Sequence, residues 1–271
     1  MLILSINAGS SSVKVSVYLA EKPDDAPIQL AEAQIAGLTA PPCKLTYERG
    51  SEKVKDQGVD GVKSQEDAFE YILNHLTKDK GLSEISSRES ITHACHRVVH
   101  GGDYSDAHII DSETYHRLED LTDLAPLHNA SALAIVKSCM KVLPKAKNIA
   151  YFDSSFHATM PKAIQTYPID PDVSSKNKLR KYGFHGISYA FITKSIANFL
   201  KKDPSQTSII ALHLGSGASA CAIKNGKSLD TSMGLTPLAG LPGATRSGSV
   251  DPRSVLAIGG ESLRLLSDQL I

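Results

Sequence analysis

Leu2-Ile3-Leu4-Ser5-Ile6, then Asn7-Ala8-Gly9-Ser10-Ser11-Ser12, then Val13-Lys14-Val15-Ser16-Val17-Tyr18 is the stretch on which the fold turns. The apolar opening suits a strand and the small polar residues a turn. Val13, Val15 and Val17, alternating with Lys14, Ser16 and Tyr18, suit a second strand with one buried face. This predicts a hairpin, not a strand running into a helix. The element returns late in the chain. Ser208 to Leu214 reads as an apolar strand, Gly215-Ser216-Gly217-Ala218-Ser219 as a small-residue turn, Ala220 to Ile223 as a strand, and Asn225-Gly226 as a tight hairpin turn. Two halves that open alike predict a duplicated α/β fold with both turns facing one cleft.

Between the two hairpins strand and helix begin to alternate. Residues 19 to 63 hold short strand-like pieces around Pro23, Pro27, Pro41 and Pro42. Ser64-Gln65-Glu66-Asp67 is a capping signal for a helix carrying Ala68, Ile72 and Leu76 on one side. His93 to His100 reads as a strand ending at Gly101-Gly102. Residues 129 to 143 read as a helix with Leu133, Val136, Met140 and Leu143 inward, and Ile149 to Phe152 as a strand. Asp153 stands just past that strand, where ligand-binding residues collect in α/β sheets. The domain boundary is placed here, giving a first domain at 1–153 and a second at 154–271. A helix from about Ser188 to Leu200, with Ile192, Ile196 and Phe199 inward, precedes the second hairpin.

Composition narrows the classes. The chain has 271 residues, 41% hydrophobic and 21% charged, which suits an ordinary globular protein large enough for two domains. With 29 basic and 29 acidic residues the formal charge is zero. No broad field exists to attract nucleic acid or an anionic membrane, so any anion must be gripped by a few placed groups. The apolar start at Met1 to Leu4 is too short for a signal peptide, and a cytoplasmic location is expected. Cys43, Cys95, Cys139 and Cys221 lack metal or redox spacing and are expected to be free thiols.

Gly215-x-Gly217-x-x-Ala220 fits the loose dinucleotide fingerprint. That fingerprint must open a helix, whereas Ala220-Cys221-Ala222-Ile223 suits a strand, so a phosphate-binding hairpin is the better reading. Taken alone, either turn is as easily a plain hairpin without a ligand.

Several further segments stand in one order with the two turns. They are Asn7-Ala8-Gly9-Ser10-Ser11-Ser12-x-Lys14, His96-Arg97-Val98-Val99-His100-Gly101-Gly102, Leu124-Ala125-Pro126-Leu127-His128-Asn129, Phe152-Asp153, Tyr182-Gly183-Phe184-His185-Gly186, His213-Leu214-Gly215-x-Gly217, Asp230-Thr231-Ser232-Met233-Gly234-x-Thr236-Pro237-Leu238 and Thr245-Arg246-Ser247-Gly248. In this order, over residues 1 to about 252, the chain resembles the acetate kinase family. Ser216, Pro242-Gly243-Ala244 and Ser249 depart from the bacterial pattern and resemble the fungal branch.

The resemblance implies an actin-like, ribonuclease H-like α/β fold. It implies reversible, in-line phosphoryl transfer between ATP and acetate with Mg²⁺, giving ADP and acetyl phosphate. Such a transfer calls for positioning and charge neutralisation, and Arg97 and Arg246 fit that need. An arginine taken alone is more often part of a surface ion pair. By the resemblance these two bind acetate and the transferred phosphoryl group, and His185 stabilises that group in flight. Asp153 orients acetate or the metal's shell, and Asn7 faces the phosphoryl group and a metal-bound water. Val99, Leu127, Phe184 and Pro237 close on the acetate methyl. Asn7, Ser10, Ser12, Lys14, His128, His213, Leu214, Gly215, Ser216 and Gly217 line the phosphate and nucleotide site. His75, His93, His108, His116 and His157 are taken as structural. A homodimer is implied. A propionate, butyrate or pyrophosphate-dependent kinase of the same family, or an inactive fragment, stays open. The family's third glycine motif, late metal-binding glutamate and final helix are not recognisable: Gly259-Gly260-Glu261 is only faintly similar to the glycine motif, and Glu261 to Leu270 reads as an amphipathic helix. The second domain is therefore expected to be incomplete.

Overall fold

A computed structural model describes residues 1–9, 11–22, 26–121 and 126–251, with the side chains of residues 126–128 outside the description. The expectations for Ser10, for the Leu127 and His128 side chains and for residues 252–271 lie outside the described residues. The chain divides into two compact units, Met1–Phe156 and His157–Ile271.

Unit 1 begins with the expected hairpin. Strand β1 (Leu2–Ala8) pairs antiparallel with β2 (Ser12–Leu19), with Ala8 opposite Val13 at the turn. Strands β3 (Ile28–Ala36), β4 (Lys44–Arg49) and β5 (Glu52–Gly58) continue the meander. On the other side of β1 the chain adds β6 (His93–Val98) and β8 (Lys147–Phe152), both parallel, with short β7 (His108–Ile109) antiparallel at the edge. The sheet order is β5-β4-β3-β2-β1-β6-β8-β7.

Side-chain alternation sends Leu2, Leu4 and Ile6 of β1 and Val13, Val15 and Val17 of β2 into one core. Helix α1 (Gln65–Lys78) covers that face. Its start is fixed as the sequence signalled: the Ser64 hydroxyl accepts from the Asp67 N–H and the Asp67 carboxylate accepts from the Ser64 N–H. Phe69, Ile72, Leu73 and Leu76 are fully buried, each worth about 1.5–3 kcal/mol of transfer free energy.

Helix α2 (Ser112–Asp120) is capped by Asp111, and α3 (Pro126–Val142) follows. The expected inward stripe of α3 is really two. Ile135, Cys139 and Leu143 join the core under β1, while Ala132, Leu133 and Val136, with Met140 against them, join a second cluster with Val98, Leu118, Ala150 and Phe152. A helix wedged between two apolar clusters is apolar on two sides, so no single stripe marks it.

Unit 2 opens with two short helices, α4 (Lys162–Gln165) and α5 (Pro171–Lys176), before α6 (Gly186–Phe199). Strands β9 (Ile209–Leu214), β10 (Ala218–Lys224) and β11 (Lys227–Thr231) form an antiparallel sheet ordered β11-β10-β9. Asn225 and Gly226 both have positive φ, 52° and 73°, as the hairpin dipeptide requires. The fold is thus actin-like α/β, with the strand–turn–strand element built twice.

The expected inner face of α6 needs correction. Its buried residues are Gly186, Tyr189, Thr193 and Ala197; Ile192 and Ile196 are only half-buried, and Phe199 is 82% exposed. The helix carries large apolar residues around much of its circumference, so spacing alone selects no face. All four cysteines are free, with Cys43, Cys139 and Cys221 buried. No helix among the described residues is long and apolar enough to cross a membrane.

Candidate active site

In unit 1 the two-fold periodicity of β6 divides its side chains. Ala94, His96 and Val98 face the core, so Arg97 emerges on the opposite face. Asp153 leaves the adjacent end of β8 with its side chain almost wholly buried. Its Oδ2 accepts from Arg97 Nη2 at 2.6 Å, and Arg97 Nε lies 3.2 and 3.1 Å from Oδ1 and Oδ2. Arg97 Nη1 donates to Asn7 Oδ1 at 3.1 Å, from the end of β1. Burial would depress the guanidinium's pKa, but the Asp153 charge outweighs it and the pKa rises. A buried carboxylate and a turn amide thus fix a partly exposed cation in one orientation, a suitable grip for a carboxylate or phosphate.

Other expected residues of unit 1 lie less centrally. Ser12 opens β2 and its carbonyl accepts from the Gly9 N–H, which closes the turn. Lys14 is paired across the sheet with Glu32 on β3 at 2.8 Å, an engagement the sequence did not signal. Val99 is buried just beyond β6.

In unit 2 the segment leading into α6 is shaped by its neighbours. The N–H groups of Tyr182 and Gly183 donate to the Gly234 carbonyl, and buried His157 bridges the Phe184 carbonyl and the Ser228 hydroxyl. His185 then takes the N-cap position with φ of 62°, left-handed backbone that is uncommon outside glycine and makes no side-chain cap. Its ring stacks on His213, centroids 4.0 Å apart. His185 Nδ1 lies 2.8 Å from the Ser219 hydroxyl, and His213 Nδ1 lies 2.9 Å from the Ser188 hydroxyl.

The Gly215-Ser216-Gly217 turn joins β9 to β10, with Leu214 opposite Ala218. This confirms a hairpin where a dinucleotide fold would need a helix. The loop at 243–246 docks on the turn: Ala244 N–H donates to the Ser216 carbonyl, Gly243 N–H donates to the Arg246 carbonyl, and a Cβ on Gly243 would stand 2.7 Å from the Ser216 carbonyl oxygen, so glycine permits the close approach. The docking brings Arg246 over the turn, with Nη1 donating to the Pro237 carbonyl at 3.0 Å. A Cβ on Gly217 would lie 2.7 Å from Arg246 Nη2 and 3.4 Å from His185 Nε2. Glycine therefore leaves open the place on which both groups converge. Phe184 and Pro237 are buried, and Leu214 is exposed.

The structure thus gathers Asn7, Arg97 and Asp153 in unit 1, and His185, His213, Gly215, Ser216, Gly217 and Arg246 in unit 2. The apolar set divides, Val99 belonging to unit 1 and Phe184 and Pro237 to unit 2. Sequence reasoning missed Ser188, Ser219 and Tyr189. A hydroxyl on an inward strand or helix position was the available signal.

An actin-like α/β protein is the class this fold defines. Residues 2–263 match the acetokinase family, and the chain belongs to it. A protein of Chaetomium globosum named "Probable acetate kinase" is 61% identical over 256 residues, covering 94% of this chain and 56% of that protein. The crystal structure of Porphyromonas gingivalis acetate kinase aligns with a TM-score of 0.78 at 38% identity, and that of a propionate kinase from Francisella tularensis with 0.80 at 32%; each alignment covers 96% of this chain and 64% of the other. The chain therefore spans less than two thirds of the length of these relatives.

Proposed function

We propose that the protein acts as an acetate kinase, moving a phosphoryl group reversibly between ATP and acetate. The observation that carries this reading is the convergence of Arg246 Nη2 and His185 Nε2 on the open side of Gly217 in a small-residue hairpin turn. Two directed donors at a turn that admits close backbone approach suit three equatorial phosphoryl oxygens. Arg97, fixed by Asp153 and Asn7, supplies the matching grip for a carboxylate. Phosphoryl transfer needs little more from a protein than such positioning and charge neutralisation.

Mg²⁺ would neutralise the phosphate oxygens. Among the described residues no three His, Cys, Asp or Glu side chains gather into a metal cage. Mg²⁺ bound largely through phosphates and water needs none, and Asp153 and Asn7 are the side chains suited to orienting its water. Propionate is a second acid to consider, favoured by the likeness to a propionate kinase. A cytoplasmic homodimer completes the proposal, and sedimentation of the natural protein reads its oligomeric state. Trapping acetyl phosphate as the hydroxamate, with the natural protein, ATP, Mg²⁺ and acetate, tests the reaction; absence of product would overturn it.

A further inference from the structure

The polar groups behind His185 have no part in the reading above. Ser219 stands on β10 directly after the phosphate-type turn and is fully buried; Tyr189 stands one helical turn into α6 and is also fully buried. The Ser219 hydroxyl lies 2.5 Å from the Tyr189 phenol and 2.8 Å from His185 Nδ1. The phenol also receives a hydrogen bond from the His213 backbone. Tyr189 and His185 are tied again through the first turn of the helix, Tyr189 N–H donating to the His185 carbonyl at 3.0 Å.

Counting protons gives this chain a direction. A phenol is a stronger donor than an aliphatic hydroxyl, and the Tyr189 oxygen already accepts from the backbone, so Tyr189 donates to Ser219 Oγ. The serine's own proton then points to His185 Nδ1, which accepts. A neutral imidazole that accepts at Nδ1 carries its proton on Nε2, the nitrogen aimed at Gly217 beside Arg246 Nη2.

We propose that Ser219 and Tyr189 are positioning residues, a hydrogen-bond relay that holds His185 as the Nε2–H tautomer so that it presents a donor to the transferred phosphoryl group even when uncharged. This rests on the reading of His185 given above. It separates two ways in which histidine can stabilise an anion, by charge or by a directed N–H, and assigns the second. Among the described residues, the titratable and charged groups around His185 include Tyr189, Arg246 and His213, with His157 and Cys221 beside Tyr189. Without the relay a neutral imidazole is free to place its proton on Nδ1, turning a lone pair toward the anion.

The test combines a tautomer measurement with kinetics on the natural protein. Imidazole ¹⁵N shifts should show His185 protonated on Nε2 and bare on Nδ1. Ser219→Ala should mix the tautomers and lower kcat about tenfold with little change in the KM for acetate. Tyr189→Phe keeps the ring's packing and should give a smaller loss of the same kind, which guards against a folding defect in the first variant. An Nδ1–H tautomer in the parent protein overturns the proposal. So does a mixed tautomer in Ser219→Ala with unchanged kcat; if His185→Gln also leaves kcat unchanged, it is the phosphoryl role of His185 itself that has failed.

Discussion

Leu4 and Ile6 of β1 are 0% and 2% exposed, whereas Ile210 and Leu212, which stand at the matching distance before the turn in β9, are 81% and 55% exposed. The two hairpins share a plan. In unit 1 the face bearing Leu4, Ile6, Val13 and Val15 lies under α1 and α3, and β1 gains parallel β6 as a neighbour. In unit 2 no described residue covers the corresponding face, and β9 is an edge strand among the described residues. The difference separates two properties of one motif. The turn's chemistry is local, set by small residues and the loops docked on it. Closure of the core depends on elements far away in sequence.

The largest expected contrast tests that separation directly. Leu4→Ala should cost about 2–5 kcal/mol, as a cavity in a closed core does, while Ile210→Ala should cost under about 0.5 kcal/mol. Urea unfolding of the two variants reads the difference. Equal losses would mean that the β9 face is buried in solution and that the contrast between the units is false.

Next come the two arginines, which the units hold differently. Arg97 is fixed by a buried carboxylate and an amide, Arg246 by one backbone carbonyl and the fit of its loop on the turn. Either change to Ala should lower kcat of the natural protein at least ~100-fold if each supplies a principal electrostatic contact. Wild-type turnover in both would remove the proposed function. Asp153→Asn should reproduce much of the Arg97→Ala defect while leaving the unit 2 half intact.

Much of this was legible beforehand because it is written locally. The alternation at Val13, Val15 and Val17, the Ser64–Asp67 capping signal, the Asn225-Gly226 turn and the placing of Asp153 at a strand end each depend on a few adjacent residues. What was not legible is tertiary. Phe199 fits a helical stripe with Ile192 and Ile196, yet the sheet receives the row of Tyr189, Thr193 and Ala197 instead. Lys14 carried no mark of Glu32, and Ser219 none of Tyr189, since such partners are set by register and packing.

A buried histidine of the closed unit gives the next effect. His96 faces the core, its Nε2 bonded to Asn148 Oδ1 at 2.9 Å, and burial lowers its pKa from 6.5 to about 4 against the opposing effect of that hydrogen bond. Between those values the unfolded chain binds more protons than the folded one, so stability falls as pH falls. The full loss is about 3 kcal/mol from above pH 6.5 to below pH 4. Urea unfolding against pH should show this slope, and a His96→Gln variant should show less of it; an unchanged slope would place the acid sensitivity elsewhere.

Acyl selectivity should follow at a smaller scale. If Val99 of unit 1 bounds the site for the acid's alkyl group, Val99→Ala should shift kcat/KM toward propionate over acetate by about 1–3 kcal/mol. An unchanged ratio would show that Val99 serves only the core beside β6.

The smallest effect compares the two helix starts. Helix α1 closes its N-terminus with reciprocal side-chain bonds between Ser64 and Asp67, whereas α6 begins at His185 with left-handed backbone and no side-chain cap. Free N–H groups at a helix start attract anions, so if α6 serves the proposed phosphoryl site, a capped start and one without a side-chain cap would divide structural from functional duty. Ser64→Ala should cost about 1 kcal/mol of stability and leave kcat unchanged, while Ser64→Gly should cost only a few tenths more than the parent. A loss of kcat in Ser64→Ala beyond what the fraction unfolded explains would mean that α1 also bears on catalysis. The division between a structural and a functional helix start would then have to be abandoned.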